Sequence, residues 1–308
     1  MKSTEIRRKF LDFFKDKEHH IASSASLVPI DPTMLLTGAG MVQFKPIFLG
    51  KTKVDYKRAA SCQKCVRTTD IDIIGQTGRH LSFFEMLGNF SFGDYYKREA
   101  TEWAWRVLTE EFKIEKDRLW VTIFETDDEA GDLWRDKVGV SSDRIVKLGE
   151  ADNFWSAGPT GPCGPCSEIL FDQGEEFSCG KPTCAPGCDC DRYLEIWNLV
   201  FMQYNRDSDG ELHPLPNKSI DTGMGLERIA SVLQGVSNNY DTDLILPIIQ
   251  KLSEISSAKF GKDQKADTSM KIVVDHARAI TFMIGDGILP DNDGRGYILR
   301  RLIRRAVR

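Results

Sequence analysis

The sequence predicts an α+β fold in which an antiparallel sheet is flanked by helices and is followed by an all-helical region. Residues 62–95 read as two strands joined by a polar, glycine-containing turn over residues 68–78. Residues 195–206 alternate between two faces, which is the period of a strand. From about residue 238 onward apolar residues recur at helical spacing, over residues 244–256, 270–285 and 298–308.

Further elements supply scaffold and carry no chemistry of their own. Residues 3–17 read as a helix, because Ile6, Phe10 and Phe14 share one face. Residues 96–112 form a second helix, and residues 119–124 form a strand followed by a helix that contains Trp134. We assign these segments to core packing.

The composition narrows the classes of protein to which the chain can belong. The chain has 308 residues, of which 41% are hydrophobic, and this is enough for one large core or two domains. No apolar run reaches about 18 residues and no secretion signal is visible, so we expect a cytoplasmic enzyme without membrane attachment. The net charge of −5 argues against a uniformly basic nucleic-acid binder but allows a local basic patch.

The segment 62–95 carries a candidate phosphate-binding group. Arg67 enters the polar turn, Arg79 and His80 leave it, and an aromatic ring, Phe83 or Phe84, follows. Arginine forks match phosphate oxygens and a ring matches a base, so the cluster suits a nucleoside triphosphate. The alternative is a hairpin with a solvated basic tip.

A second motif lies at residues 221–233. Gly223 and Gly225 are predicted to bracket a tight turn, and the apolar residues that follow have helical spacing. Arg228 would then project from the first turn of a helix. Asp221 precedes the turn, and a buried unpaired aspartate would be costly, so we expect a cationic partner there.

An arginine-bearing strand, a loop and an aromatic strand, followed by GxGxxR at the start of a helix, resemble motifs 2 and 3 of the class II aminoacyl-tRNA synthetases. Longer strings at 83–95, 195–206, 221–234 and 294–308 resemble the alanyl-tRNA synthetase family, in the family's order and over nearly the whole chain. The resemblance implies the class II antiparallel sheet. It also implies activation of alanine with ATP to alanyl-adenylate and transfer to the 3′ end of tRNA(Ala), with Mg²⁺.

The resemblance also implies a domain layout. Residues 1–240 would form the catalytic domain, with a cysteine-rich insertion at about 174–192. Residues 241–308 would begin a helical domain that recognises the tRNA acceptor stem, and the family's editing and C-terminal domains would be missing.

The positions of this sequence that match the family's motifs give the expected site residues. Arg67 and Arg228 would be catalytic. The ATP site would comprise Arg67, Arg79, His80, Phe83, Gly225 and Arg228. The alanine site would comprise Trp155, Asn198, Val200, Asp221 and Gly223, with Asp221 holding the α-ammonium group. Trp155 reads equally well as core packing, because tryptophan is usually buried.

Three further residues have open interpretations. Glu168 and Asp172 lie four apart on a predicted strand and so face the same way; they would hold Mg²⁺ or merely line a polar groove. Arg58 precedes the first motif and is either a second phosphate contact or an exposed charge.

A cysteine cluster predicts a metal site. Four cysteines fall within a short glycine- and proline-rich segment, and four thiolates suit a closed tetrahedral structural zinc site; they are Cys179, Cys184, Cys188 and Cys190. The pair Cys163 and Cys166 competes as a redox pair or as the source of one ligand, and a similar pair lies at Cys62 and Cys65.

The C-terminal helix is strongly basic. Six arginines between Arg295 and Arg308, with no acid among them, form a candidate phosphate-binding stripe. The resemblance implies that Asn292, Arg300 and Arg304 contact the tRNA acceptor stem, including its G·U pair. A solvated helix face is the alternative.

Two other functions remain open at this stage. A synthetase-like paralogue would adenylate an amino acid for a carrier other than tRNA. A non-catalytic, zinc-stabilised RNA-binding module would keep the cysteines and arginines but would have no use for Arg67, Asp221 and Arg228 together.

Overall fold

A computed structural model describes residues 1–308, and its centre is one nine-stranded sheet. The strands are His20–Ala22 (β1), Arg58–Val66 (β2), Phe83–Ser91 (β3), Leu119–Phe124 (β4), Ile145–Leu148 (β5), Phe154–Ser156 (β6), Gly161–Asp172 (β7), Tyr193–Arg206 (β8) and Leu212–Gly225 (β9). Their spatial order is β1-β2-β3-β9-β8-β7-β4-β5, with β6 paired to β7. The central pairs are antiparallel, as the sequence predicts, whereas β1 with β2 and β4 with β5 form parallel pairs at the two edges.

Helices surround this sheet. They are Ser3–Lys15 (α1), Lys45–Phe48 (α2), Lys97–Arg106 (α3), Asp128–Asp132 (α4), Glu150–Asn153 (α5), Leu226–Gln234 (α6), Leu246–Ile255 (α7), Gln264–Gly285 (α8) and Gly294–Val307 (α9). No helix combines the length and the apolar character that crossing a bilayer requires. The last three helices form the predicted helical region.

One face of the sheet is buried against α1, α3 and α6. Phe10 and Phe14 of α1 pack on Trp197 of β8, with the ring centres of Phe10 and Trp197 5.6 Å apart. All three side chains are fully buried, and each contributes roughly 1.5–3 kcal/mol by leaving water. This core fixes which side chains of the central strands point to the opposite face.

A bulge in β8 changes that assignment locally. Relative to β7, strand β8 has one extra residue, Ile196, because its neighbours Glu195 and Trp197 lie opposite consecutive residues of β7. The alternation reverses at the bulge, so Glu195 lies on the same face as Asn198 while Ile196 packs in the core. Simple alternation, which places Ile196 beside Asn198, is therefore wrong at this position.

The second motif also differs from its prediction. Gly223 and Gly225 do not bracket a tight turn; they belong to β9, a 14-residue strand that pairs with β3 and β8. Helix α6 starts directly after Gly225, so Arg228 does project from its first turn, as predicted. A Cβ on Gly223 would lie 2.8 Å from the Met86 sulfur, which explains glycine at a position with ordinary extended backbone.

Candidate active site

A cleft of about 370 Å³ lies on the face of the sheet opposite the main core. It collects residues from β3, β6, β7, β8 and β9, from α5 and the start of α6, and from the loop that follows β2. Most sequence-predicted site residues line it: Arg67, Arg79, His80, Trp155, Asn198, Val200, Asp221, Gly223, Gly225 and Arg228. Phe83 does not, whereas Phe84, its alternative as the aromatic ring, does. Glu195, Met86, Asp152 and Glu227 line the cleft without having been predicted as site residues.

Asp221 is a buried carboxylate without a protein hydrogen-bond donor. It is 5% exposed and lies opposite Val200 on the neighbouring strand. Burial raises its pKa to about 7, and the positive charge of Arg67 opposes that rise. The carbonyl oxygen of the Asn198 side chain, also in the cleft, is buried without a partner. Two unpaired acceptors of this kind fit a small cation that donates several hydrogen bonds.

Apolar and small residues line the cleft on the strands beside Asp221. Val200 is 3% exposed, lies opposite Cys166 on β7, and lines the cleft together with Trp155 and Gly223. Trp155 is half-buried rather than sealed in the core, so the cleft uses its surface.

Arg67 projects from the end of β2 over an aromatic ring. Its Nε donates to the carbonyl oxygen of Gly38 at 2.8 Å, and its guanidinium lies 5.3 Å from the centre of the Phe84 ring. The Nη groups make no protein hydrogen bond and remain available to an anion.

The structure corrects the assignment of Phe83. Its ring is 2% exposed and stacks on Phe282 of α8 with ring centres 4.5 Å apart. Successive residues of a strand point to opposite faces, so Phe84 faces the cleft and Phe83 faces the helices.

A group of carboxylates surrounds Arg228. Its Nη1 donates to the carbonyl oxygen of Glu195 at 2.8 Å and to its carboxylate at 2.9 Å. Burial, with the negative charges of Glu195 and Asp152, raises the pKa of Glu168 to about 9. Glu195 was not predicted as a site residue, because nothing in the sequence marks the bulge that places its side chain in the cleft.

Two residues left open by the sequence lie outside the cleft. Asp172 shares a face with Glu168, but four strand residues separate them by about 13 Å, and Asp172 pairs with Arg192. Arg58 lies at the far end of β2, where its Nε pairs with Asp94. Neither side chain reaches a ligand in the cleft, which excludes a Glu168–Asp172 metal pair and an Arg58 phosphate contact.

Arg79 connects the cleft to the cysteine-rich insertion. Its guanidinium donates to the carbonyl oxygen of Cys190 at 3.2 Å and to the carboxylate of Asp189 at 2.8 Å, and Asp191 lies 3.4 Å away. His80, beside it, bonds to Thr77, and burial with the nearby Arg79 charge lowers its pKa. The insertion therefore borders the cleft.

The four cysteines of the insertion converge. Cys179, Cys184, Cys188 and Cys190 place their sulfur atoms within 4.8 Å of one another, and two sulfur pairs lie 3.6 Å apart. A tetrahedral site with metal–sulfur bonds of about 2.3 Å separates its sulfurs by about 3.8 Å, so this cluster fits a metal ion. The competing pairs at Cys62 and Cys163 lie on β2 and β7 and contribute no sulfur to it.

The basic helix α9 presents its arginines to a groove of about 580 Å³. Asn292, Tyr297, Arg300, Arg301, Arg304, Arg305 and Arg308 line this groove. Arg300 donates to the side chain of Asn292. Arg301 and Arg305 lie 3.4 and 3.5 Å from Asp72, so part of the charge is neutralised by the loop between β2 and β3.

Comparison with known proteins gives a consistent set of relatives. A family model described as tRNA synthetases class II (A) matches residues 5–308. The chain is similar to the alanine–tRNA ligase of Desulfitobacterium hafniense (strain Y51), with 58% identity over 305 residues that cover 99% of this chain and 35% of that protein. It is 55% identical over 313 residues to the alanine–tRNA ligase of Desulfosudis oleivorans, covering 100% of this chain and 36% of that protein.

The chain thus spans about a third of the length of these curated relatives. Among solved structures, a pyrrolysyl tRNA synthetase from Desulfitobacterium hafniense aligns with a TM-score of 0.46 and 10% identity, covering 78% of this chain and 71% of that chain.

Proposed function

The chain belongs to the class II tRNA synthetases, and we propose that it activates alanine with ATP to alanyl-adenylate and transfers the alanyl group to the 3′ end of tRNA(Ala). The observation that carries the proposal is the buried, unpartnered Asp221 in a cleft that also holds Arg67 and Arg228. The names of relatives that are more than half identical support alanine as the amino acid.

Alanine would bind with its ammonium group on Asp221 and on the unpaired carbonyl oxygen of Asn198. Pairing with a cation lowers the pKa of Asp221 and removes the cost of its burial. The methyl group would face Val200, Trp155 and Gly223, which line the cleft.

ATP would bind with its base on Phe84 and its phosphates between the arginines. Arg67 would contact the α-phosphate and the alanine carboxylate, and Arg228 the β- and γ-phosphates, with Arg79 and His80 at the edge and the Gly225 backbone beneath. Phe84 replaces Phe83 in this assignment because only the Phe84 ring faces the cleft.

The chemistry needs positioning and charge neutralisation more than proton transfer. A carboxylate oxygen of alanine attacks the α-phosphorus and pyrophosphate leaves with the electrons of the broken P–O bond. The terminal hydroxyl of the tRNA then attacks the carbonyl carbon of the adenylate, the bond from that carbon to the phosphate oxygen breaks, and AMP and the hydroxyl proton leave. Arg67 would hold the two reacting groups together and offset the charge that builds on the phosphorus oxygens.

Mg²⁺ is a proposed cofactor, and it would neutralise charge on the departing pyrophosphate when bound. Glu168 and Glu195 would supply the carboxylates that fit it. Burial, together with the negative charges of Glu195 and Asp152, raises the pKa of Glu168, and a bound cation would favour its charged form.

We infer zinc at the four-cysteine cluster, where it would close the insertion without taking part in the reaction. Metal analysis tests this inference: about one zinc per chain is expected, falling steeply in Cys188→Ser but not in the control Cys62→Ser, whose sulfur lies on β2. Zinc far below one per chain in the unaltered protein would contradict it.

The basic groove of α9 would bind the acceptor stem through Asn292, Arg300 and Arg304. Residues 1–240 would then form the catalytic part and residues 241–308 the beginning of the RNA-binding part. Phosphate contacts of this kind weaken steeply with salt, so the affinity of the chain for tRNA should fall as salt rises.

The decisive experiment is amino-acid-dependent ATP–pyrophosphate exchange with all twenty amino acids. Exchange with alanine is expected, and serine and glycine should follow within roughly 10²-fold, because a small pocket discriminates weakly against one hydroxyl or one methyl group. Arg67→Ala should abolish exchange, whereas the control Arg98→Ala, an exposed arginine of α3, should retain it. Preference for an unrelated amino acid would refute the proposal.

A further inference from the structure

The loop between β2 and β3, residues 67–82, is called here the nucleotide loop. It contributes Arg67, Arg79 and His80 to the cleft. Its residues do not pair within the sheet, since the β2–β3 register ends at Val66 and Phe83. Other contacts must therefore fix its shape. Arg67 bonds to Gly38 and Arg79 to the cysteine-rich insertion, and further contacts come from residues beyond 238.

Helix α8 holds the middle of the nucleotide loop. Ile71 and Ile74 are 2% and 1% exposed. Gly75 has a φ of +83°, and a Cβ there would lie 2.8 Å from both the Thr268 carbonyl oxygen and the Ile272 side chain of α8. The loop thus approaches the helix more closely than any other residue would allow.

Asp275 of α8 holds the end of the loop. Its carboxylate accepts from the Ser82 amide at 2.9 Å and also from the Ser82 hydroxyl. The carbonyl oxygen of Ser82 in turn accepts from the amide of Arg67 at 2.9 Å. Asp275 is completely buried, so these charge-assisted bonds are shielded from water.

Arg278, one turn further along α8, holds the strand that follows. It donates to the Phe83 carbonyl oxygen at 3.2 Å and to the carboxylate of Glu227. Glu227 is 1% exposed and accepts from the amide of Glu85 at 3.0 Å. Since Glu227 is the neighbour of Arg228, one ion pair ties α8 to both motifs of the cleft.

We propose that Asp275 and Arg278 are positioning residues for the nucleotide: they touch no substrate, but they fix the backbone that presents Arg67 and Phe84 to ATP. The inference rests on the proposed function in taking the cleft as the ATP site. It makes a helix outside the expected catalytic part a determinant of ATP affinity.

The test compares Asp275→Asn with the control Asp267→Asn, an aspartate of α8 whose carboxylate accepts the exposed Gly261 amide. The Asp275 carboxylate also contacts His276 Nδ1 at 2.9 Å, and asparagine replaces one of its two acceptor oxygens with an NH₂ group. The Ser82 amide and hydroxyl then no longer each have an acceptor oxygen on residue 275. We expect the dissociation constant for ATP, measured by equilibrium dialysis, to rise roughly tenfold in Asp275→Asn and to stay within twofold in Asp267→Asn. The KM for ATP should rise in parallel, with the KM for alanine nearly unchanged.

Ser82→Ala provides a milder variant in case Asp275→Asn folds poorly, because it removes only the hydroxyl donor and keeps the amide bond. Roughly a threefold weaker ATP affinity is expected, and combining it with Asp275→Asn should give less than the product of the two effects. Thermal stability is measured on each variant.

A loss of stability with ATP affinity within twofold of the unaltered protein would show a merely structural role and overturn the proposal. If the unaltered chain binds ATP but exchanges no amino acid, the proposed function fails while the affinity comparison still decides this inference. Absence of ATP binding would refute both.

Discussion

Replacing Asp221 with asparagine is expected to stabilise the ligand-free protein while removing its activity. A carboxyl with a pKa of about 7 in the folded chain and an ordinary value of 3.8 costs about 4 kcal/mol to keep ionised at pH 8. The asparagine amide avoids that cost but retains the roughly 1–3 kcal/mol of an unpaired buried polar group. The net gain is about 1–3 kcal/mol, a rise in Tm of roughly 2–5 °C for a chain of this size.

The sign of the pH dependence follows from the same pKa. Between pH 3.8 and about 7 the folded chain holds a proton on Asp221 that the unfolded chain has released, so this carboxyl lowers stability as pH rises through that window. The advantage of Asp221→Asn should therefore be largest above pH 7, should shrink by about 4 kcal/mol as the pH falls to 4, and should change sign within that range. Thermal unfolding at several pH values measures it.

Activity should change in the opposite direction. Removing one partner of a buried ion pair costs about 3–5 kcal/mol, so kcat/KM for alanine in pyrophosphate exchange should fall by roughly 10²- to 10⁴-fold. In the unaltered protein the same quantity should decline below about pH 7, because protonated Asp221 no longer pairs with the ammonium group. The control Asp209→Asn, in an exposed turn, should change neither property.

Either of two results would refute this reasoning. A lower Tm for Asp221→Asn at pH 8 would mean that the carboxylate already has a favourable partner. A kcat/KM for alanine within tenfold of the unaltered value would mean that the ammonium group binds elsewhere.

Three further substitutions probe the cleft. Gly223→Ala places a methyl group 2.8 Å from the Met86 sulfur and should raise the KM for alanine at least tenfold with ATP affinity largely kept; an unchanged alanine KM would contradict the pocket assignment. Phe84→Ala should weaken ATP binding by roughly 1–3 kcal/mol at nearly constant Tm. Phe83→Ala should instead lower the free energy of unfolding by about 3–5 kcal/mol. The reverse pattern would show that Phe83 is the stacking ring. Glu195→Gln removes the carboxylate that holds Arg228 and should lower kcat of exchange roughly tenfold; equal kcat would show that Arg228 is positioned without it.

The sequence predicts the layout of the fold better than its details. Strand 119–124 is confirmed at both ends, and the strand at 195–206 is confirmed with a start two residues earlier, at Tyr193. Strand β9 was not predicted, because its polar and glycine-rich sequence resembles a turn and only pairing with β3 and β8 holds it extended.

The candidate site shows the same limit. The spacing of Arg67, Asp221 and Arg228 indicated chemistry, and the structure brings all three into one cleft. The face on which a side chain lies depends on register, so Phe83 was chosen over Phe84 and Glu195 was missed. Register is set by contacts between distant strands, which no local pattern contains.

The anchoring of the nucleotide loop on α8 also bears on modularity. A chain cut at residue 240 would expose the side chains of Ile71, Ile74 and Phe83 to water and would leave Glu227 buried without its arginine. The domain boundary predicted from the sequence, at residue 240, therefore does not separate two parts that are stable independently of each other. An engineered minimal version of the cleft would need another support for the loop.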